Sequence, residues 1–260
     1  MGCYPLFVCQ DWSQIYADLK DIGDELVTLS VVTDPFGQYE TTYLRRCFRD
    51  VVLPFKEHFI VDLRRPMDTF VCKHHRRYAR NACQRLYIEK CEDPIKFVAE
   101  WAQLYSSLIK RHNIKGMLAF SRLTFVKQLK VPGIVVFRAV HEEETLGMLL
   151  WYVQEEVGYY HLGAYSTLGY DLRASFALFW FAIEYFAACG LRWLNLGAGA
   201  GARNDATDGL SRFKRGWSTG TRAVYFCGHI FDHARYLEIM KTNRIPATHY
   251  FPAYRQGELG

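Results

Sequence analysis

Four groups of side chains stand out in the 260-residue chain for the chemistry their types and spacing allow. Lys214 lies between Phe213 and Trp217 in SRFKRGW, with Arg212 and Arg215 on either side. Aromatic neighbours keep water from an ammonium, and a poorly hydrated cation attracts phosphate or carboxylate strongly; the plainer alternative is surface charge. In VGYYHLGAYS the two-residue period of a strand puts Val157, Tyr159, His161, Gly163 and Tyr165 on one face, so His161 stands between two tyrosines. An imidazole there suits general-base work near neutral pH; the plainer alternative is a core histidine bonded to a neighbouring hydroxyl. Ser166 and Thr167 follow at the expected start of a helix, where a hydroxyl either caps the helix or meets an anion favoured by its dipole. Last comes the run GAGAGARND. It does not match the dinucleotide pattern G-x-G-x-x-G, and Arg203, Asn204 and Asp205 read either as substrate contacts or as plain connector. Asp205 and Asp208 hold an ammonium or, the better reading, cap the next short helix.

These groups need elements to hold them. GIVVFRAV, GMLLWYV and VGYYHLGAYS alternate as strands, and the short acidic turns HEEET and QEE join them into an antiparallel meander. An apolar helix over 172–189, a strand RWLNLG and a strand AVYFCGHIF follow. Upstream, DELVTLSVV is a strand closed by the turn DPFG, TTYLRRCFRDVV a helix ended by Pro54, and EHFIVDL a short strand. A basic helix over 72–86 precedes the strand YIEKC. Asp93-Pro94 opens a helix with Asp as its cap, and Phe97, Trp101, Leu104 and Leu108 form one apolar stripe along it. A shorter helix, SRLTFVKQLK, comes before the meander, and a helix HARYLEIMKTN opens the tail. The pattern is α/β of the α+β kind: a mixed, mostly antiparallel twisted sheet with helices on both faces.

Half the residues are apolar and 23% charged, the balance of a globular chain; the 16% aromatic share means a bulky core or an apolar channel. A net charge of +5 is too small for a dedicated nucleic-acid binder but compatible with an anionic ligand. The basic residues cluster at Lys73, His74, His75, Arg76, Arg77, Arg80 and Arg85, as a solvated helix face or a phosphate or RNA contact. Eight cysteines form no C-x-x-C and no metal set is expected; with Cys189 inside the apolar helix, reduced buried thiols of a cytoplasmic protein are the expectation, and a catalytic Cys the minor alternative. The N-terminus lacks the pattern of a secretion signal, and Leu6 stands where a myristoylation site wants Ser or Thr. Arg173 and Glu184 interrupt the apolar helix, so no membrane span is expected.

The tracts YYHLGAYS, FALFWFAIEYFAACGLRWLNLG and GLSRFKRGW, together with HHRRYARNACQRLYIEKC and KRHN upstream, resemble the FemAB-like branch of the GNAT acyltransferases over about residues 70–230. The expected organisation is an N-terminal extension, or a reduced first GNAT-like half, at 1–70, a GNAT-like domain at 71–235 and a tail at 236–260. The resemblance implies transfer of an acyl group to an amine of a peptide, amino acid or amino sugar. The co-substrate is then acyl-CoA or acyl carrier protein, with no permanently bound cofactor; aminoacyl-tRNA is the rival donor, and a non-catalytic binding domain the rival of another class. It also implies central strands that splay apart to meet the carbonyl. His161, Tyr165 and Ser166 are the catalytic candidates, and Arg203, Asn204, Asp205, Arg212, Phe213, Lys214 and Trp217 the substrate-binding ones. One departure stands out: the pyrophosphate loop of ordinary members, Arg/Gln-x-x-Gly-x-Gly/Ala, is replaced here by STLGYDLRAS.

Overall fold

The computed structural model describes residues 6–199 and 208–257. The strands, in chain order, are β1 (Thr28–Val32), β2 (Val51–Asp62), β3 (Tyr87–Lys90), β4 (Ile134–His141), β5 (Glu144–Gln154), β6 (Val157–Tyr165), β7 (Trp193–Gly197) and β8 (Gly220–Ile230). The first helices are α1 (Ile15–Asp21), α2 (Thr41–Cys47), α3 (Met67–Phe70), α4 (Lys73–Cys83) and α5 (Val98–His112). They are followed by α6 (Arg122–Gln128), α7 (Thr167–Asp171), α8 (Ala174–Ala188), α9 (Gly209–Arg215) and α10 (His233–Thr242).

The chain forms two compact units, one of Met1–His58 with Arg222–Gly260, the other of Phe59–Thr221. These limits differ from the expected 70/71 and 235/236 because the two ends of the chain share one core. In the smaller unit β1 runs antiparallel to β8, from Thr28↔Ile230 to Val32↔Phe226, over a core of Trp12, Ile15, Leu19, Leu44, Phe48 and Cys227.

The larger unit carries a mixed, mostly antiparallel sheet ordered β2-β7-β6-β5-β4-β3, in which only β6 and β7 are parallel. On one face α4 and α8 close over Phe137, Leu149, Trp151 and Leu194. On the other, α5 and α6 cover Val136, Met148 and Leu150. Successive β5 residues thus enter opposite cores, as the two-residue period demands. The apolar sequence of α8 follows from this position: Ala177, Leu178, Phe179, Ala182, Ile183 and Phe186 are buried, and Phe176, Trp180, Phe181 and Tyr185 pack against the same core. Among the described residues no helix is long and apolar enough to cross a membrane.

Four local expectations need correction. The helix at 41 stops at Cys47, and Pro54 lies exposed within β2 rather than ending a helix, because Val51 and Val52 already belong to a half-buried strand. The Asp93 side chain does not cap its helix. It pairs with Lys96 at 3.6 Å, and a 3-10 turn (Pro94–Phe97) precedes α5. The apolar helix is broken at Arg173, whose φ of 60° separates α7 from α8. Cys189, expected inside that helix, caps its C-terminal end and is exposed, as are Cys72 and Cys83.

Candidate active site

The strands that the resemblance expects to part separate past their third paired residue. β6 and β7 pair from Val157↔Trp193 to Tyr159↔Asn195, and beyond that register β7 keeps its pairing with β2 on its other edge, as far as Phe59↔Gly197. Two irregularities open the gap. On β6 the register against β5 jumps from Trp151↔Tyr160 to Leu150↔Leu162, leaving His161 as the extra residue of a bulge, which bends a strand and raises its twist. On β7 the partners of Phe59 and Ile60 are Gly197 and Asn195, and Gly197 sits at φ 72°, where a side chain is strained.

Lys214 bridges the mouth of this gap. It is buried on α9, its Nζ donates to the Ala198 carbonyl just beyond β7 at 2.6 Å, and the same Nζ lies 5.4 Å from the centre of the Tyr160 ring on β6. The Tyr160 and Tyr165 hydroxyls converge over Gly163: a Cβ placed there would lie 2.5 Å from one and 3.1 Å from the other. Burial pushes both phenols above their ordinary value, so both stay protonated at neutral pH and act as O–H donors. Tyr170 packs edge-on against Tyr165 at 5.3 Å.

α9 is held where it is by α4. His75 Nε2 lies 2.9 Å from the Phe213 carbonyl, the Cys72 amide donates to the Gly216 carbonyl at 3.0 Å, and the His75 ring packs against Phe176, Phe213 and Trp217. Gly216 must lack a side chain, because a Cβ would collide with the His75 ring. Asp208 caps the other end of α9, accepting from Leu210 N and Ser211 N at 2.8 and 3.0 Å.

The remaining candidates divide. Tyr165 and Lys214 come together at the gap. His161 does not join them: the bulge shifts the alternation, so Tyr160 and Tyr165 enter the α8 core while Leu162 and Ala164 enter the α5/α6 core. The His161 ring lies tilted against Tyr152 at 5.0 Å, and the Tyr152 hydroxyl in turn bonds Gln128 O at the end of α6. The single face proposed for residues 157–165 is therefore wrong. Ser166 caps α7 through Gly169 N at 3.1 Å. Trp217 is fully buried and stacks on Phe179, and Phe213 packs in the same cluster. Arg212 and Arg215 are exposed, the latter 5.8 Å from the Phe59 ring. Arg203, Asn204 and Asp205 lie outside the described residues. Sequence reasoning missed Tyr160, because a bulge leaves no mark on strand periodicity. It also missed His75, although the spacing of His75, Ala79 and Ala82 marks the buried face of α4.

Burial with an unpartnered Nε2 lowers the His161 pKa from 6.5 to about 4. The unfolded chain then takes up this proton at a higher pH than the folded one. Stability present above pH 6.5 is lost progressively as pH falls toward 4, by up to roughly 3 kcal/mol. Urea midpoints at pH 7 and pH 5 should show this loss in the parent and a smaller one in His161→Phe; equal losses would contradict it.

A family profile described as an acetyltransferase (GNAT) domain matches residues 71–215, the stretch that supplies α4, the meander, α8, β7 and α9. The chain belongs to the GNAT acetyltransferase family. It is thus an acyltransferase enzyme with a FemAB-like fold. Among solved structures, the chain resembles FemX with a TM-score of 0.63 at 12% identity, covering 87% of this chain and 78% of that one. The C-terminal domain of a protein designated a lysylphosphatidylglycerol synthetase, from Agrobacterium fabrum, gives 0.63 at 12% identity over 90% and 77%. L-PGS from Bacillus licheniformis gives 0.55 at 19% identity over 83% and 73%. At these identities the likeness is one of fold. No curated protein matches in sequence. Where ordinary GNAT members carry their pyrophosphate loop, the segment STLGYDLRAS forms α7 and the start of α8.

Proposed function

We propose that this enzyme passes an acyl group from a thioester donor, acyl-CoA or acyl carrier protein, to the amine of a peptide, amino acid or amino sugar, with the thioester carbonyl seated in the gap between β6 and β7. We place the reaction in the cytoplasm, where thiols and thioesters persist. The observation that carries the reading is the buried Lys214 ammonium set where the two strands part. In the transfer the amine attacks the carbonyl carbon, the C–N bond forms, the C–S bond breaks, and the leaving thiolate takes a proton. Tyr160 and Tyr165 hold protons at neutral pH and have no hydrogen bond to another described residue, so either hydroxyl serves as donor to the oxyanion or the leaving sulfur. Lys214 supplies positive charge beside the negative charge that develops. His161 has no part in this reading, and Ser166 contributes by capping α7.

The test is a panel: purified enzyme with acyl-CoA, acyl carrier and aminoacyl-tRNA donors and mixed amine acceptors, read by mass spectrometry for a new amide. Amide formation from a thioester is expected, and amide formation from aminoacyl-tRNA alone would replace this donor assignment. One observation favours that second donor. Lys73, Arg76, Arg77 and Arg80 line a 220 Å³ hollow along α4, and none forms an ion pair with a described carboxylate. Under the aminoacyl-tRNA reading, tRNA binding weakens steeply with salt, and the slope falls by about one for each of these cations removed.

A further inference from the structure

At the head of this basic stripe stands a nucleophile with a base and an orienting group. Cys72 is exposed, its Sγ lies 3.0 Å from His75 Nδ1, and His75 Nε2 lies 2.9 Å from the Phe213 carbonyl. The carbonyl can only accept, so Nε2 carries the hydrogen; burial disfavours the charged ring, so Nδ1 is bare and accepts from the thiol. This is the arrangement of an activated nucleophile: thiol, base, and a third group that fixes the base's tautomer. The imidazole cannot swing away, because Phe176, Phe213 and Trp217 enclose it.

The surroundings select a reagent. Lys73 follows Cys72 directly and Arg76 lies one turn on, with Arg77 and Arg80 completing the cation-lined hollow. Four cations with no described carboxylate partner fit an anionic molecule. The other described cysteines lack this setting. Cys47, Cys91 and Cys227 are buried and Cys9 half-buried, burial raises the thiol pKa of all four, and Cys83 is pushed up by burial and by the Glu184 carboxylate. Cys189 is exposed and touches no described imidazole.

We propose that Cys72 is a thiolation site that reacts, through His75, with disulfides of anionic low-mass thiols held by Lys73, Arg76, Arg77 and Arg80. The thiol proton passes to His75 Nδ1 as Sγ bonds to one sulfur of the reagent; the reagent's S–S bond breaks, and its departing thiolate takes that proton. One mixed disulfide and one free thiol result, with no net change in oxidation. The site is separate from acyl transfer and does not depend on which donor the enzyme uses.

The experiment treats the full chain at pH 7 with glutathione disulfide, an anionic probe, or with hydroxyethyl disulfide, a neutral one, and follows each cysteine by peptide mass spectrometry. Cys72 is expected to react with the anionic probe at least about tenfold faster than Cys189. Replacing the half-buried Arg76 and the exposed Arg77 and Arg80 together by Gln should cut that rate about tenfold and the rate with the neutral probe much less. Even in this triple variant, Cys72 should outpace Cys189 with the neutral probe, because His75 is still in place. Equal neutral-probe rates at Cys72 and Cys189 would overturn the role of His75. An anionic-probe rate unmoved by the triple substitution would overturn the selection of anions.

Discussion

Replacing Lys214 by Met is expected to lower kcat/KM for acyl transfer by about 10²–10³-fold, the loss seen when one preorganised charge or donor is taken from a developing negative charge. Methionine keeps the apolar stem and much of the volume, so the substitution removes the ammonium without emptying its slot. The effect should fall on kcat more than on KM if the charge acts mainly on the transition state. Lys214→Arg is the informative companion. It keeps the charge but carries a bulkier head beside Gly197, whose Cβ position already lies 3.3 Å from Nζ. It should recover only part of the rate. Steady-state kinetics on whichever donor turns over, with far-ultraviolet circular dichroism to confirm the fold, measures both variants; a Lys214→Met enzyme within threefold of the parent would remove Lys214 from the site.

The second large effect is structural. Trp217→Ala should destabilise the protein by about 3–5 kcal/mol, because the indole is fully enclosed by His75, Phe176, Phe179 and Phe213 and its removal leaves a cavity that such a cluster cannot collapse to fill. Trp217→Phe should cost much less. Nε1 has no hydrogen-bond partner, so the smaller ring gives up apolar contact but leaves no acceptor stranded. Since the same cluster seats α9, Trp217→Ala should also depress acyl transfer well below what the fraction folded predicts, by loosening the position of Lys214. Urea titrations and activity at matched folded fraction separate the two effects. An Ala variant less than 1 kcal/mol weaker than the parent would show that the cluster does not anchor α9.

How much of this was readable in advance differs from one element to the next. The meander, the stripe of Trp101 and Leu104 on α5, the apolar α8 and the short β7 all follow from periodicity, since each buries one face or both against one sheet. The Lys of SRFKRGW stood out because a cation between two aromatics cannot be well hydrated, and the fold buries it at the end of β7. The faces of β6 were not readable. A bulge is set by pairing with β5, and one inserted residue takes His161 off the face it would otherwise share with Tyr165 while leaving the hydrophobic alternation plausible either way. The helix read as running to Pro54 failed for a related reason. Arg-Cys-Phe-Arg-Asp-Val-Val suits a helix locally, yet β2 claims the valines because the sheet buries Val52. His75 looked like one more member of a basic run, and only its packing partners on α9 distinguish it from His74.

The central claim, that acyl groups are transferred in the gap beside Lys214, is tested most directly by photolabelling with a non-hydrolysable pantetheine thioether that carries a diazirine near its acyl carbon. Peptide mapping should place the label on residues 160–165 of β6 and 197–198 after β7, and Lys214→Met should reduce it. Label confined instead to the 360 Å³ hollow between Leu63, Met67 and Ile183, or label at the gap that is indifferent to Lys214, would contradict the account.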